Sequence, residues 1–482
     1  MSQLTRREFF ENSMLTAAAA TAAGSAMSSE RLAAEGSRSA NDRLRVAVLG
    51  IRGRGRVHLG EYLKRKDCDV VAVVDPDEVV GQTKGVERVE QESGRKPAFY
   101  TDMRKVMDDK SIDIVSIATP NHWHALASIW AIQSGKDVYV EKPVSHNVSE
   151  GRRMVQAARK YGKIVQTGTQ CRSMQGTIDA IEYVKSGRIG EVKLARGFCY
   201  KKRDSIGPRG KYDIPPSVDY GLWLGPAPEK PLSRSRFHYD WHWIWDTGNG
   251  DLGNQGIHQM DICRWGLGVD DLGQSVTSYG GRLGYTDAGE TANTQVSIHD
   301  FGDKRLVFEV RGLIKKPRRV GVIFYGSEGY VELTEYTGGA AYDSDGQLVK
   351  SFKGGGDHFG NFLSAVRSRK VEDLHADILE GHLSSALCHL GNISYRLGER
   401  ITTSEAKSRL AQSTESLETF QKVVNHLGDN NIDLEKTKLK FGRQLTVDGQ
   451  SEVFTDEGTA EANAMLTRDY RKPFVVPSAR EV

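Results

Sequence analysis

Leu44-Arg45-Val46-Ala47-Val48-Leu49 runs directly into Gly50, and Asp75 stands at the end of the next β-rich run, residues 70–74. Between them lie Gly50-Ile51-Arg52-Gly53-Arg54-Gly55 and a helical stretch through His58, Tyr62 and Leu63. Strand, glycine loop, helix, strand and terminal acid are the parts of a dinucleotide site. Glycines let the backbone approach a pyrophosphate, the helix N-terminus carries partial positive charge, and the acid accepts from ribose hydroxyls. Gly50, Gly53, Gly55 and Asp75 are therefore expected to touch the nucleotide. The loop departs from GxGxxG, because Arg52 takes the place of the middle glycine and Gly53 follows it. Arg52 and Arg54 either reach phosphate oxygens or stay in solvent. Asp75 favours NAD, since a carboxylate repels a 2′-phosphate, while the neighbouring arginines keep NADP open.

The alternation continues. Residues 112–118 read as a buried strand ended by Thr119-Pro120-Asn121, and a helix runs from His122 to a glycine stop at Gly135. Residues 137–140 form another strand. Asn147, with Glu150 three residues later, opens a helix that ends near Gly162, and 163–167 closes the series. Strands alternating with helices at this spacing imply a parallel sheet covered on both faces. Ligands of such a sheet sit at the carboxyl ends of its strands, where Gly50, Asp75, Pro120 and Glu141 all fall.

Glu141-Lys142-Pro143 directly follows the strand 137–140. With Ala118-Thr119-Pro120-Asn121-His122-Trp123-His124 and the glycine loop, it resembles the glucose–fructose oxidoreductase / inositol dehydrogenase (Gfo/Idh/MocA) family. The resemblance runs from about residue 44 to 266 and more loosely to 397. It implies a nicotinamide cofactor held also by Thr119, Pro120, Asn121, His124, Glu141, Lys142 and Gln170, with Lys142 beside both the nicotinamide ring and a substrate hydroxyl. The chemistry agrees with that placement. Oxidising an alcohol takes a hydride from carbon and a proton from oxygen. A lysine that is partly desolvated near a cationic ring has its ammonium form disfavoured. The Lys142–Pro143 peptide is expected to be cis, at a tight turn after a strand.

The family's second signature is an Asp and a His four residues apart on a later helix. The matching stretch is Gly250-Asp251-Leu252-Gly253-Asn254-Gln255-Gly256-Ile257-His258-Gln259-Met260-Asp261. His258 takes the histidine position, but Asn254 stands where the aspartate belongs. Residues 254, 258 and 261 share one face of a regular helix. An amide bonds a sugar hydroxyl but cannot accept its proton. Three options follow: Lys142 and His258 suffice, Asp251 or Asp261 substitutes, or the reaction differs from plain dehydrogenation.

From Gln170 the pattern changes. β-rich runs recur at 191–198, 294–298, 306–310, 319–325 and 330–333, and 358–396 reads as helical. Sparse helices and several long β runs indicate an α+β domain with an open, mainly antiparallel sheet following the Rossmann-type α/β domain. Expected boundaries are 43–168 for the first domain, 169–445 for the second and 446–482 for a C-terminal arm. The resemblance implies that the open sheet packs between subunits of a homo-oligomer, and that Arg172 approaches the ligand. Trp241-His242-Trp243-Ile244-Trp245-Asp246 reads first as packing, although aromatic faces also bind sugar rings. His242, Asp246 and Asp261 are the further candidates for contacting a carbohydrate. The basic loop Lys201-Lys202-Arg203 reads as solvated.

Thr5-Arg6-Arg7-Glu8-Phe9-Phe10, the apolar run 14–23 and Gly24-Ser25-Ala26 together read as a twin-arginine signal over residues 1–30, which implies export to the periplasm. The net charge of +3 over 482 residues gives no reason to invoke nucleic acid. No run of apolar residues is long enough to span a membrane. The five cysteines, Cys68, Cys171, Cys199, Cys263 and Cys388, show no CxxC spacing, so no metal site is expected. The function expected is hydride transfer between NAD(P) and a hydroxyl of a sugar, sugar acid or cyclitol. The alternative is a glycosidase that works through transient oxidation by tightly held NAD.

Overall fold

A computed structural model describes residues 43–313 and 319–482. The signal read at residues 1–30 lies outside the described residues. The first sheet has six strands: β1 (Leu44–Leu49), β2 (Cys68–Val74), β3 (Ala98–Tyr100), β4 (Ile114–Ile117), β5 (Asp137–Val140) and β6 (Val165–Thr167). Their order is β3-β2-β1-β4-β5-β6 and every neighbouring pair is parallel. The order reverses between β1 and β4, and that crevice is where a doubly wound sheet binds its ligand. β3 escaped the sequence reading because three residues are too few to show a period; its pairing with β2 defines it.

Helices α1 (Arg54–Leu63), α2 (Asn121–Gln133) and α3 (Val148–Lys160) cover this sheet. α2 is apolar nearly all round, with Ala125 to Ile129 all buried, so it sits between layers and not at the surface. α3 starts as its sequence proposed: the Asn147 side chain accepts from the Glu150 N–H. The Lys142–Pro143 peptide is cis.

The second domain opens with α4 (Gln175–Lys185) and contributes a mixed, mainly antiparallel sheet of twelve strands. Its central strands are β7 (Val192–Tyr200), β8 (Ser275–Gly281), β9 (Thr294–Asp300), β10 (Arg305–Arg311), β11 (Arg319–Gly326), β12 (Gly329–Glu335), β13 (Gly338–Asp343) and β14 (Leu348–Lys353). β7 is central: it pairs parallel to β10 and antiparallel to β11. One face packs on α5 (Ile257–Leu267) and on α4, and Met260, Cys263, Phe308 and Phe324 are fully buried there. The single helical stretch expected at 358–396 is two helices, α6 (His358–Ser368) and α7 (Ile378–Arg396). Arg369 breaks it by adopting a left-handed conformation at φ 61°.

The last residues return to the first domain. A strand at Leu445–Asp448 adds to β8, and beyond it Phe474, Val476 and Val482 are buried in the core of the first sheet. The Phe474 ring meets the edges of Trp123 and lies near Trp130, both on α2. The stretch therefore closes over a hydrophobic surface that the parallel sheet leaves behind. Among the described residues no helix is long and apolar enough to cross a membrane.

Removing this ring creates a cavity under α2. Phe474→Ala is expected to lower stability by about 3–5 kcal/mol. A guanidinium titration read by both far-UV circular dichroism and tryptophan emission checks it; an unchanged midpoint would mean that the segment does not support the fold.

Candidate active site

A cleft of about 2130 Å³ runs from the glycine loop to the second domain. Small-molecule pockets are typically ~300–1,000 Å³, so this one has room for a dinucleotide and a second molecule. It lies at the carboxyl ends of β1 and β4, where the strand order reverses, and residues of the second domain line its other side.

Gly50 ends β1 at φ +80°, and a Cβ there would lie 2.8 Å from the carbonyl of Ala118 and the N–H of Thr119. A Cβ on Gly55 would lie 1.8 Å from the Gly50 carbonyl oxygen, so α1 starts tight against the loop. No side chain caps the first turn of α1, which leaves its N–H groups free. Gly53 also has positive φ, at 61°, and the extra glycine thus supplies a bend that GxGxxG places elsewhere. Arg52 is exposed and lines the cleft. Arg54 does not reach outward, as its Nε donates to Glu141 at 2.6 Å.

Asp75 lines the cleft and is buried; its carboxylate accepts from the N–H groups of Ile51 (2.8 Å) and Asp77 (2.9 Å). Burial pushes its carboxyl up to about 6 against those two bonds. Thr119, Pro120, Asn121, His124, Glu141 and Gln170 also line the cleft. His124 has a bracing role: its two nitrogens bond the carbonyls of Pro143 (2.6 Å) and Thr119 (2.8 Å). Asn121 donates to Asn249 across the domain junction at 2.9 Å. The Thr119 hydroxyl and the Gln170 carbonyl oxygen are buried with no protein partner. A glycine cradle, a free helix N-terminus, a ribose-side acid and orphan polar atoms together fit a dinucleotide.

Glu141 is the hub. Its Oε1 takes both Arg54 Nε and His58 Nε2, the latter at 3.1 Å, and His58 Nδ1 reaches Ser116 on β4 at 2.9 Å. Burial alone would raise this carboxyl, but Arg54 and His58 hold it well below the ordinary range. Lys142, next along the chain, donates from Nζ to the main-chain carbonyl of Asn254 at 2.6 Å. Burial pushes its ammonium down to about 8; Glu141 opposes that, and Arg54 and Arg203 add to it.

Asn254 sits in a π-helical turn, Leu252–Gly256, that leads into α5. The regular helix expected here is absent: the widened turn offers a carbonyl to Lys142. His258, one turn on, is buried and lines the cleft, with Nδ1 unpartnered. Burial first and Lys142 second push its imidazolium well below the usual histidine range. Tyr336, from the turn between β12 and β13, lies edge-on to His258 at 5.5 Å and accepts from Gln255 at 2.7 Å. His242 also lines the cleft.

Three residues expected at the substrate are placed elsewhere. Arg172 and Asp261 form a buried ion pair, with Nε 2.9 Å from the carboxylate. Ser384 also donates to Asp261, and Glu380 takes both Arg172 and Arg264. The physical reason is burial: a desolvated guanidinium and carboxylate must satisfy each other, which removes both from ligand binding. Asp246 pairs with Lys230 at 2.6 Å and does not line the cleft. Asp251, the other possible stand-in for Asn254, is held by Arg203 through two contacts at 2.7 and 2.5 Å. The basic loop is thus not wholly solvated: Arg203 is buried over the Trp243 ring. Sequence reading missed Arg54 as a partner of Glu141, as well as His58, Gln255 and Tyr336. Only the glycine loop's second arginine carried any signal for them.

Residues 44–169 match the family model described as the Gfo/Idh/MocA oxidoreductase family, NAD-binding Rossmann fold. Residues 192–290 match its C-terminal α/β domain. The chain thus carries, in the same order, the two domains that describe the Gfo/Idh/MocA family, within residues 44–290. Its first domain is an NAD-binding Rossmann domain, and its glycine cradle, Asp75 and Glu141 are parts of that fold.

An uncharacterised oxidoreductase of Streptococcus pneumoniae is 24% identical over 303 residues, covering 62% of this chain and 71% of that protein. An alpha-N-acetylgalactosaminidase of Shewanella oneidensis is 28% identical over 153 residues, or 31% of this chain. The chain spans only 33% of that enzyme's length. Among solved structures, GenD2 from gentamicin A biosynthesis in complex with NAD superposes with a TM-score of 0.52 at 21% identity, over 72% of this chain and 93% of that one. The WlbA dehydrogenase of Bordetella pertussis, in complex with NADH and UDP-GlcNAcA, gives 0.53 at 18% identity, over 72% and 96%. At these identities the likeness is one of fold.

Asp261→Ala leaves the Arg172 charge buried with one partner fewer. It is expected to cost about 3–5 kcal/mol of stability while nucleotide still binds to the folded fraction. Denaturant midpoints and NAD titration of the same preparation check both halves; a stable protein that has lost only substrate affinity would return Asp261 to the ligand site.

Proposed function

We propose that this protein oxidises or reduces a hydroxyl-bearing carbon of a sugar, sugar acid or cyclitol with NAD(P). The observation that carries the reading is Lys142, whose Nζ is held on the Asn254 carbonyl one turn before His258, with both side chains lining the nucleotide cleft. NAD, when bound, supplies the acceptor for a hydride. The neutral Lys142 amine keeps an N–H on the Asn254 carbonyl and has its lone pair free for the substrate hydroxyl proton. His258 is neutral over the working range. It bonds a second hydroxyl, or takes and returns a proton when the substrate makes its neighbouring carbon acidic. Asn254 contributes a carbonyl that orients Lys142, and no carboxylate is needed at that position. The twin-arginine pattern in the sequence of residues 1–30 supports export of this activity to the periplasm. The resemblance of the second domain supports a homo-oligomer.

The pH dependence follows in sign. Alcohol oxidation needs neutral Lys142, so kcat/KM for oxidation rises through about pH 8 and levels off above it. The reverse reduction needs the ammonium and falls over the same range. Lys142→Met is expected to remove both activities and the pH dependence while NAD still binds. Steady-state rates from pH 6 to 10 on polyols and free sugars, with added NAD, check this. Activity within about tenfold of the parent, on the order of 1.4 kcal/mol of barrier, would remove Lys142 from the reaction.

The Shewanella relatives favour a second reading: a glycosidase that oxidises a ring carbon, eliminates the aglycone, adds water and reduces back. Aryl glycosides offered in heavy water with no added nucleotide separate the two. A plain dehydrogenase with exchangeable NAD stops within one turnover and leaves the product unlabelled. The glycosidase releases aglycone repeatedly and places deuterium on the carbon next to the one oxidised, and His258→Ala abolishes that label.

A further inference from the structure

The two walls of the cleft differ in chemistry. Its carboxylates, Glu61, Asp75, Glu92, Asp102 and Glu141, all come from the first domain. Among the described residues, the wall contributed from Gln170 onward has none; it offers amides, imidazoles, phenols, aromatic faces and the Arg236 guanidinium. Within that wall, three rings stand in sequence along the segment that precedes the π-turn. His242 lies flat on Trp241, with centroids 3.6 Å apart and planes 20° apart. Tyr239 leans on His242 at 4.7 Å, and the Tyr239 carbonyl is bonded by His242 Nδ1 at 2.6 Å.

Packing does not account for all of this cluster. Trp243 and Phe237 are buried in hydrophobic clusters, and Trp241 rests against one of them. Tyr239 is 53% exposed on the lip of the cleft, where an aromatic ring gains little from the core. A rigid ring run with its outer member open to a cavity is the shape that binds the C–H face of a pyranose. His242 and Lys142 line the same cleft, so the run opens onto the cavity that holds the reacting end of the site.

We propose that Tyr239, His242 and Trp241 form a second sugar subsite, in the cleft that Lys142 also lines, that holds the neighbouring ring of a glycoside or disaccharide. The substrate class that follows is a linked sugar, not a lone cyclitol or monosaccharide. With no carboxylate on this wall, the second ring is neutral or acidic and carries no ammonium. The cleft volume of about 2130 Å³ accommodates two rings beside a dinucleotide. This inference rests on the reading of Lys142 as the group at the reacting sugar, and binding separates the two.

Saturation-transfer NMR and calorimetry on the NAD-loaded protein are run with four pairs: glucose and cellobiose, N-acetylglucosamine and chitobiose, xylose and xylobiose, glucuronic acid and its β-linked disaccharide with glucose. At least one disaccharide is expected to bind more tightly than its monosaccharide, with saturation reaching both rings. Tyr239→Ala is expected to cut that affinity ratio roughly tenfold, and Tyr239→Phe to keep it. Because Tyr239 is exposed, both variants are expected to fold. The same ratio measured in Lys142→Met is unchanged, so a failed turnover assay with an intact ratio sinks only the assignment of Lys142. If no disaccharide exceeds its monosaccharide, or if Tyr239→Ala leaves the ratio as it was, the subsite is overturned.

Discussion

A carboxylate buried between a guanidinium and an imidazole ties the end of β5 to the start of α1. Glu141 is desolvated, so its charge needs compensation, and Arg54 and His58 provide it at Oε1 from the helix that carries the glycine loop, while Oε2 accepts from the Lys142 N–H. That pairing sets the loop and the strand end in one register. Lys142 inherits its position from its neighbour: once Glu141 is pinned, the next side chain projects toward the π-turn before α5. His124 fixes the same corner from below by bonding the carbonyls of Thr119 and Pro143. The cleft is thus held by polar contacts whose partners lie on three different elements.

The second domain is joined to this corner by a different kind of contact. Arg172, Asp261, Glu380, Arg264 and Ser384 form a buried charged network between the start of the domain, α5 and α7. It orients α5 so that His258 faces the cleft, although Asp261, three residues on, faces away. The widened turn at Leu252–Gly256 then brings a main-chain carbonyl to Lys142. A lysine held by a carbonyl keeps a lower proton affinity than one held by a carboxylate, because the partner carries a dipole and not a full charge. The absence of an aspartate at position 254 fits that arrangement.

Much of the first domain was legible from local pattern. The strand 44–49, the strand 137–140 and the Asn147–Glu150 helix start stand where the sequence puts them. Their signals are local: β-rich runs ended by glycine or an acid, and a cap three residues from its partner. The short β3 and the split between α6 and α7 were not legible, because pairing with β2 and one left-handed residue decide them. In the site, Lys142 and His258 were identified from motif and resemblance, and both line the cleft. Arg172, Asp261 and Asp246 were read as ligand contacts because of their residue type. Burial with an opposite charge sends the first two to each other, and Lys230 claims the third.

By itself the sequence determined the order of strands and helices, the glycine cradle with its terminal acid, and the lysine that follows the strand 137–140. These depend on contacts within a few residues, where chain connectivity leaves little choice. The tertiary structure alone decided which charges face the cleft and which neutralise one another. It also decided that Tyr336 and Gln255 meet at His258, and that Phe474 completes the core of a domain more than three hundred residues earlier in the chain. Those outcomes turn on the cost of burying an unpaired charge or leaving an apolar surface open, and neither cost can be assigned until distant segments are side by side.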